Sequence, residues 1–376
     1  MSQIAAPAAK PELRALTSLR GIAAMAVVLQ HFAATFQQYC AGNLPSPVPH
    51  GYMAVDFFFV LSGFIMCYTY LEDFRERRMD AYAPFIGKRF GRIFPLHAFC
   101  VILILVFGAL STALLGRNLS YSSDNLGFDV LANLLMLQGI GIGRNLNGPS
   151  WSVSVEFVAY LLFPLLIAIV FRNRLLPWIV AFVAAAGLVY VASLDPRWSI
   201  VAIDPLSSTI RCLAGFSLGM IGYRLYAETR FGAVLGRTPV AVLLGLGAAL
   251  ALVLKADLVA AALFTPIVVA FAVNRGWPSR LLGWGPLHFL GVISFSLYLV
   301  HDAFRPYALA LLRHLEPQPV GVPLAFGLTL LCSALIIPFA WATYVAIERP
   351  GRSYIRAVID GLARAAGNPR AVQGRG

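Results

Sequence analysis

The feature that most constrains this chain is a succession of apolar stretches, each close to the roughly 20 helical residues needed to cross about 30 Å of hydrocarbon. They lie near residues 17–37, 52–71, 93–115, 151–171, 176–193, 207–226, 238–254, 257–273, 288–312 and 322–346. Lipid offers the backbone no hydrogen-bond partner, so each stretch must satisfy its own N–H and C=O groups as a helix. The expected fold is an all-α integral membrane protein with about ten transmembrane helices. Charge agrees: 12% of the 376 residues are Asp, Glu, Lys or Arg, about half the usual share of a soluble domain. The net charge of +12 would suit nucleic acid only if spread over a polar surface that is missing here, so the expected partner is the lipid bilayer and not nucleic acid.

If ten spans alternate in direction, one set of loops collects 22 of the 29 Lys and Arg residues, and the opposite set holds only Arg117, Arg144, Arg197, Lys255 and Arg313. Basic loops stay in the cytoplasm, which puts both termini there. Residues 1–15 are expected to be a short cytoplasmic segment without the apolar core of a signal peptide. Residues 16–350 form the membrane domain and 351–376 a basic cytoplasmic tail, partly disordered towards its tip. Two connections are long: residues 71–89, a docking surface for an anionic cytoplasmic ligand, and residues 116–150, an external partial lid. Cys40, Cys67, Cys100, Cys212 and Cys332 show no C-x-x-C pairing, and neither a disulfide framework nor a metal site is expected. His97 and His288 read as core or interfacial residues.

An ionisable group inside a span costs about 2.5–3.5 kcal/mol on insertion scales, so each one is a candidate for function. Arg20 and His31 are eleven residues apart in the first span, within about 20° of three whole turns and about 16 Å along the axis. They share one helix face, a spacing suited to an extended ligand held at its anionic end and reacting at its far end. The alternative is an arginine snorkelling to the interface and a histidine satisfied by a neighbouring helix. Asp56 opens the second span among aromatic residues and needs His31 or an arginine as partner. Gly63 either interrupts that span or permits close packing of helices. Arg89 and Arg92, at i and i+3, present the side chain suited to bidentate phosphate contact. In WSVSVEF, Glu156 lies about a turn inside the fourth span with Trp151, Ser152 and Tyr160. It either orients His31 or pairs with Arg211, a charge deep in an apolar run. Ser294, Tyr298 and His301 recur at i, i+4 and i+7 on one stripe of the ninth span.

No G-x-S-x-G, Walker A, G-x-G-x-x-G or H-E-x-x-H occurs, which removes the hydrolase-elbow, P-loop, dinucleotide and zincin readings. No internal repeat is visible, and matching half-chains, which many transporters show, are missing.

The Arg20–His31 spacing, GYMAVDFFFVLSGFIM, KRFGRIFP, WSVSVEFVAY, RCLAGFSLGM, SFSLYLVH and the closing ERP at Glu348–Pro350 together resemble acyltransferase family 3, the polytopic sugar O-acyltransferases. The ordered set runs from residue 16 to about 350. Ala54 stands where the family commonly has Gly, and Asp302-Ala303 replaces a frequent polar-to-Pro turn after the histidine. The resemblance implies a bacterial inner-membrane enzyme that moves an acyl group, often acetyl, from acyl-CoA to a hydroxyl of a cell-surface or exported glycan or glycolipid. No permanently bound cofactor and no metal is implied. Arg20, Arg89 and Arg92 would hold the phosphates of coenzyme A. His31 would be the general base, with Glu156 or Asp56 fixing its tautomer, and Tyr298, Ser152 or Arg211 would stabilise the oxyanion. An acyl-histidine intermediate is the rival chemistry. The competing functions are a transporter or flippase of a glycan or lipid precursor, and acylation of a non-carbohydrate alcohol.

Overall fold

The computed structural model describes residues 10–365, which form fifteen α-helices and no sheet. In chain order they are α1 (Arg14–Gln37), α2 (Ala54–Arg77), α3 (Tyr82–Leu115), α4 (Leu126–Leu134), α5 (Ser150–Val170), α6 (Leu176–Ser193), α7 (Pro205–Glu228), α8 (Phe231–Leu235), α9 (Thr238–Val253), α10 (Asp257–Val273), α11 (Trp277–Leu282), α12 (Gly285–Val292), α13 (Ser294–Leu315), α14 (Val322–Thr343) and α15 (Arg349–Ala365). Every apolar stretch of the sequence is helical. Large apolar side chains such as Phe182, Trp178 and Leu243 point outward at 65–74% exposure, as a lipid-facing surface requires and a water-facing one does not. The chain is a helical, multi-pass membrane protein.

By length and composition, five helical segments are able to cross a membrane: Arg14–Gln37, Gly51–Leu115, Ser150–Val170, Leu176–Ser193 and Val322–Gly361. A sixth is the pair α12 and α13, bent by 67°. The segment Gly51–Leu115 doubles back on itself. Arg78 breaks the helix in a left-handed conformation, and Arg89 reaches Tyr70, a contact that a straight helix would separate by about 28 Å. α9 and α10 are apolar but shorter, at 16 and 17 residues.

Close helix approach organises the bundle. A Cβ at Gly63 of α2 would lie 1.9 Å from the Phe216 carbonyl of α7, and one at Gly219 of α7 would lie 1.9 Å from the Val60 carbonyl of α2. Gly63 is therefore a packing residue. In the same way a Cβ at Gly21 would meet Gly291 at 2.4 Å, which presses α1 against the bend between α12 and α13. One core joins α2, α5, α7 and α10, and a smaller one joins α1, α13 and α14.

Residues 71–89 are helical almost throughout, since α2 runs on to Arg77 and α3 begins at Tyr82. The tail is helical from Arg349 to Ala365, where Ile355 and Ile359 fill the space beside Gly91 and Gly87 of α3. The expected disorder at its tip concerns residues 366–376, which lie outside the described residues. The 116–150 connection carries α4, and Asp129 is its anchor. This carboxylate accepts from Ser123 Oγ at 2.5 Å and from the Arg144 amide at 2.7 Å, bonds that hold its pKa below the ordinary aspartate value.

Candidate functional site

α1 and α13 run side by side in the same direction, as three contacts in register establish. Arg20 Nε donates to Ser294 Oγ at 2.9 Å, His31 Nδ1 lies 2.8 Å from His301 Nε2, and Arg305 Nε donates to Thr35 Oγ1 at 2.9 Å. The Gly21–Gly291 approach makes the first of these possible, since it brings the Gly291 carbonyl within 2.9 Å of Arg20 Nη2. Thr35 Oγ1 in turn donates to the carbonyl of His31 at 2.8 Å.

The histidine pair has a defined proton arrangement. The Leu297 carbonyl, 3.2 Å from His301 Nδ1, can only accept, so Nδ1 carries the proton. For two neutral rings, His301 Nε2 then accepts from His31 Nδ1–H, and His31 Nε2 keeps its lone pair. His301 is fully buried and His31 half-buried. His31, His301 and Asp302 offer ligand atoms within 4.8 Å of one another, the grouping among the described residues with the spacing of a metal site. The 2.8 Å separation of the two ring nitrogens is that of a hydrogen bond with a proton between them.

Arg20, Arg89 and Arg92 line a single cavity of about 150 Å³, partly open to the exterior, with Ser62, Ser152, Glu156, Tyr160, Ser294 and Tyr298 also in its wall. A second hollow of about 240 Å³ shares Arg20, Leu61 and Ile65 with it and reaches Lys10 and Tyr68, so the two adjoin along a groove. The deep end presents Tyr298 OH and Ser152 Oγ, 2.8 Å apart, each 3.1 Å from the Pro149 carbonyl. The ring of Tyr298 lies 6.4 Å from that of His301.

The arginines are held in different ways. Arg89 Nη2 donates to Tyr70 OH at 2.7 Å while its Nε is buried without a partner. Arg92 is ion-paired with Glu348 and lies over the ring of Phe295. Glu348, only 1% exposed, also accepts from Ser296 Oγ at 2.7 Å.

Three sequence expectations are corrected. Asp56 does not serve His31: it takes a two-pronged contact from Arg211, at 2.7 and 3.1 Å, with both residues almost fully buried. Arg211 is therefore no oxyanion donor. Its remaining nitrogen Nη1 donates to the Ala202 carbonyl, Trp151 covers it at 5.2 Å, and neither residue lines the cavity. Glu156 neither orients His31 nor pairs with Arg211; it accepts from Tyr160 OH at 2.6 Å, and Tyr160 OH in turn lies 3.1 Å from Ser62 Oγ. The residue that fixes the His31 ring is His301, because α13 and not α5 lies against that level of α1.

Sequence reading passed over Arg305, Thr35 and Glu348 as site residues and noted Asp302 only as a polar neighbour of His301. Arg305 had a legible signal: a charge stranded in a span, three residues from an aspartate, and the two do pair at 2.5 Å. Glu348 had a weaker one, its place in the closing ERP. His97 donates to the Asn133 carbonyl in the core and His288 pairs with Glu12 at the rim, in keeping with their expected places.

A family model described as an acyltransferase domain matches residues 13–338. The acyltransferase MdmB of Streptomyces mycarofaciens is 35% identical over 183 residues, 46% of this chain and 44% of that protein. An O-acetyl transferase of Shigella phage Sf6 is 27% identical over 156 residues, 38% of this chain and 42% of that protein. Protein 2 in the picA locus of Rhizobium radiobacter is 28% identical over 155 residues, 38% of this chain and 76% of that protein. The chain thus matches less than half the length of two of these relatives. No solved structure matches.

Proposed function

Because the chain belongs to acyltransferase family 3, whose domain model spans residues 13–338, we propose that it transfers an acyl group, in the first instance acetyl, from acyl-CoA to a hydroxyl of a glycan or glycolipid. The observation that carries this reading is the cavity lined by Arg20, Arg89 and Arg92 and also by Ser152 and Tyr298, the last with its ring 6.4 Å from that of His301, which in turn bonds His31. Three guanidinium groups in a half-buried groove suit the phosphates of coenzyme A. The apolar wall of Phe58, Leu61, Ile65 and Phe295 suits its pantetheine arm.

In this mechanism His31 Nε2 takes the proton of the acceptor hydroxyl as that oxygen attacks the thioester carbonyl carbon. The C–O bond forms, the C–S bond breaks, and the proton passes from His31 to the departing sulfur, leaving an ester and free coenzyme A. His301 holds His31 in the tautomer this requires. Tyr298 OH and Ser152 Oγ, in the wall of the arginine cavity, are the donors assigned to the charge that develops on the carbonyl oxygen. Ten membrane crossings, with the α12–α13 pair counted once, and both termini in the cytoplasm of a bacterial inner membrane complete the proposal; the arginine end of the groove then faces the cytoplasmic pool of acyl-CoA.

The test is thiol release and label transfer from radiolabelled acetyl-CoA by the purified chain in detergent, for wild type and His31→Ala over a glycan panel. Wild-type rates no higher than those of the variant across several acyl donors would sink the enzyme reading.

A further inference from the structure

A cavity of about 250 Å³ lies on the other side of the histidine pair, and the mechanism above leaves it unused. Along α1 the order is Arg20, His31, Thr35, and along α13 it is Ser294, His301, Arg305. The first member of each lines the arginine cavity and the last lines this one, so the histidines stand between the two. A carboxylate oxygen of Asp302, also in the wall, lies within 4.8 Å of ring nitrogens of both histidines.

The chemistry of the two cavities differs. Three arginines face the first, with Glu156 as the acid in its wall. In the second, Asp302 and Arg305 neutralise each other at 2.5 Å, and the other polar groups are the uncharged Thr35, Gln38 and Ser120, set among aliphatic side chains. Asp302 Oδ2 accepts the Gly148 amide at 2.8 Å, and each carboxylate oxygen keeps a further lone pair. Arg305 Nη2 has no protein partner among the described residues, since Nη1 and Nε carry its bonds to Asp302 and Thr35. Donors and acceptors at close spacing with no net charge are what a neutral, polyhydroxylated molecule pairs with. A polyanion would find no uncompensated cation here.

We propose that this cavity binds the acceptor as a neutral polyhydroxylated molecule and presents one of its hydroxyls to His31 from the end of the bundle opposite the thioester. The inference rests on the acyltransferase reading and adds to it the acceptor's site, charge class and side of entry.

The test uses the full chain purified in detergent, acetyl-CoA as donor, and a panel of neutral methyl glycosides beside the matching methyl uronides, which differ by one carboxylate. Neutral glycosides are expected to accelerate thiol release and uronides to do so less. Gln38→Ala and Ser120→Ala should each raise the KM for the best glycoside about fivefold, the effect of one lost neutral hydrogen bond, with the KM for acetyl-CoA moved less than about twofold. Ser120→Phe, which fills the cavity, should abolish glycoside-dependent release while calorimetry still detects coenzyme A binding, which shows that the variant is folded. The inference is overturned if uronides are preferred, if these variants move the KM of acetyl-CoA instead, if Ser120→Phe leaves glycoside use intact, or if acetyl-CoA is hydrolysed and no neutral glycoside accelerates it. A chain that neither binds coenzyme A nor releases thiol with any acceptor defeats the acyltransferase reading itself, and this inference with it.

Discussion

His31 Nδ1 lies 2.8 Å from His301 Nε2, and the far nitrogen of His301 is held by the Leu297 carbonyl at 3.2 Å. A backbone carbonyl that can only accept thereby selects, through one imidazole, which nitrogen of the next is basic. His31→Ala should lower the rate constant of acetyl transfer by about 10²–10⁴, the range of a lost general base. His301→Ala should lower it by a smaller factor with the KM for acetyl-CoA unchanged, because His301 acts through His31. Steady-state kinetics with both substrates varied provide the check. Equal loss of rate and of acetyl-CoA affinity in His301→Ala would place that residue in the donor site instead.

The cavity arginines should respond unequally. Arg89 is held by a neutral phenol and keeps its full charge for a ligand, whereas Glu348 offsets the charge of Arg92. Arg89→Ala is expected to raise the KM for acetyl-CoA by about tenfold or more, as befits a lost charge-assisted contact, and Arg92→Ala by less. Repeating both measurements over a range of ionic strength gives an independent readout, with the flatter salt dependence expected for Arg89→Ala.

Asp56 and Arg211 form a buried pair, and removing one member strands the other charge. Asp56→Asn or Arg211→Met should destabilise the protein by about 3–5 kcal/mol, seen as a lowered unfolding temperature in detergent. The double replacement by apolar residues should recover much of the loss, since it leaves neither charge behind. A single variant as stable as wild type would contradict the structural role assigned to the pair.

Gly63→Ala should fail through packing alone. Its Cβ would be 1.9 Å from the Phe216 carbonyl, which forces α2 and α7 apart at a cost of about 1–3 kcal/mol. Ala at Gly245, inside α9, where an added Cβ meets nothing within 4 Å, is the control expected to keep or slightly raise thermal stability.

Asp129 ties down the 116–150 connection, and its carboxylate is held below the ordinary aspartate value by the Ser123 hydroxyl and the Arg144 amide. A depressed carboxylate contributes its stabilisation in full above the unfolded value near pH 4 and loses it as the pH falls further. Asp129→Asn should therefore speed protease cleavage within 116–150 at neutral pH. Wild type should acquire the same sensitivity only below about pH 4, as an acid-stable protease would reveal.

Much of the bundle was legible because a helix in lipid must be apolar over a known length. All ten stretches are helical, and the charges stranded among them, Arg20, His31, Asp56, Glu156 and Arg211, are all buried or half-buried. The tail helix also left a trace: Ile355 and Ile359 recur at i and i+4, the spacing of one helix face.

By itself the sequence determined that the chain is helical and multi-pass, and which few polar residues had to find partners, because burying a charge in hydrocarbon is too costly to leave uncompensated. Only the tertiary structure decided the pairing. Arg211 satisfies Asp56, Glu348 satisfies Arg92, and His301 rather than Glu156 reaches His31. Charge and spacing allowed each of these groups several partners of the right sign. The choice was made by glycines at helix contacts, Gly63 with Gly219 and Gly21 with Gly291, which set how closely and at what level neighbouring helices meet.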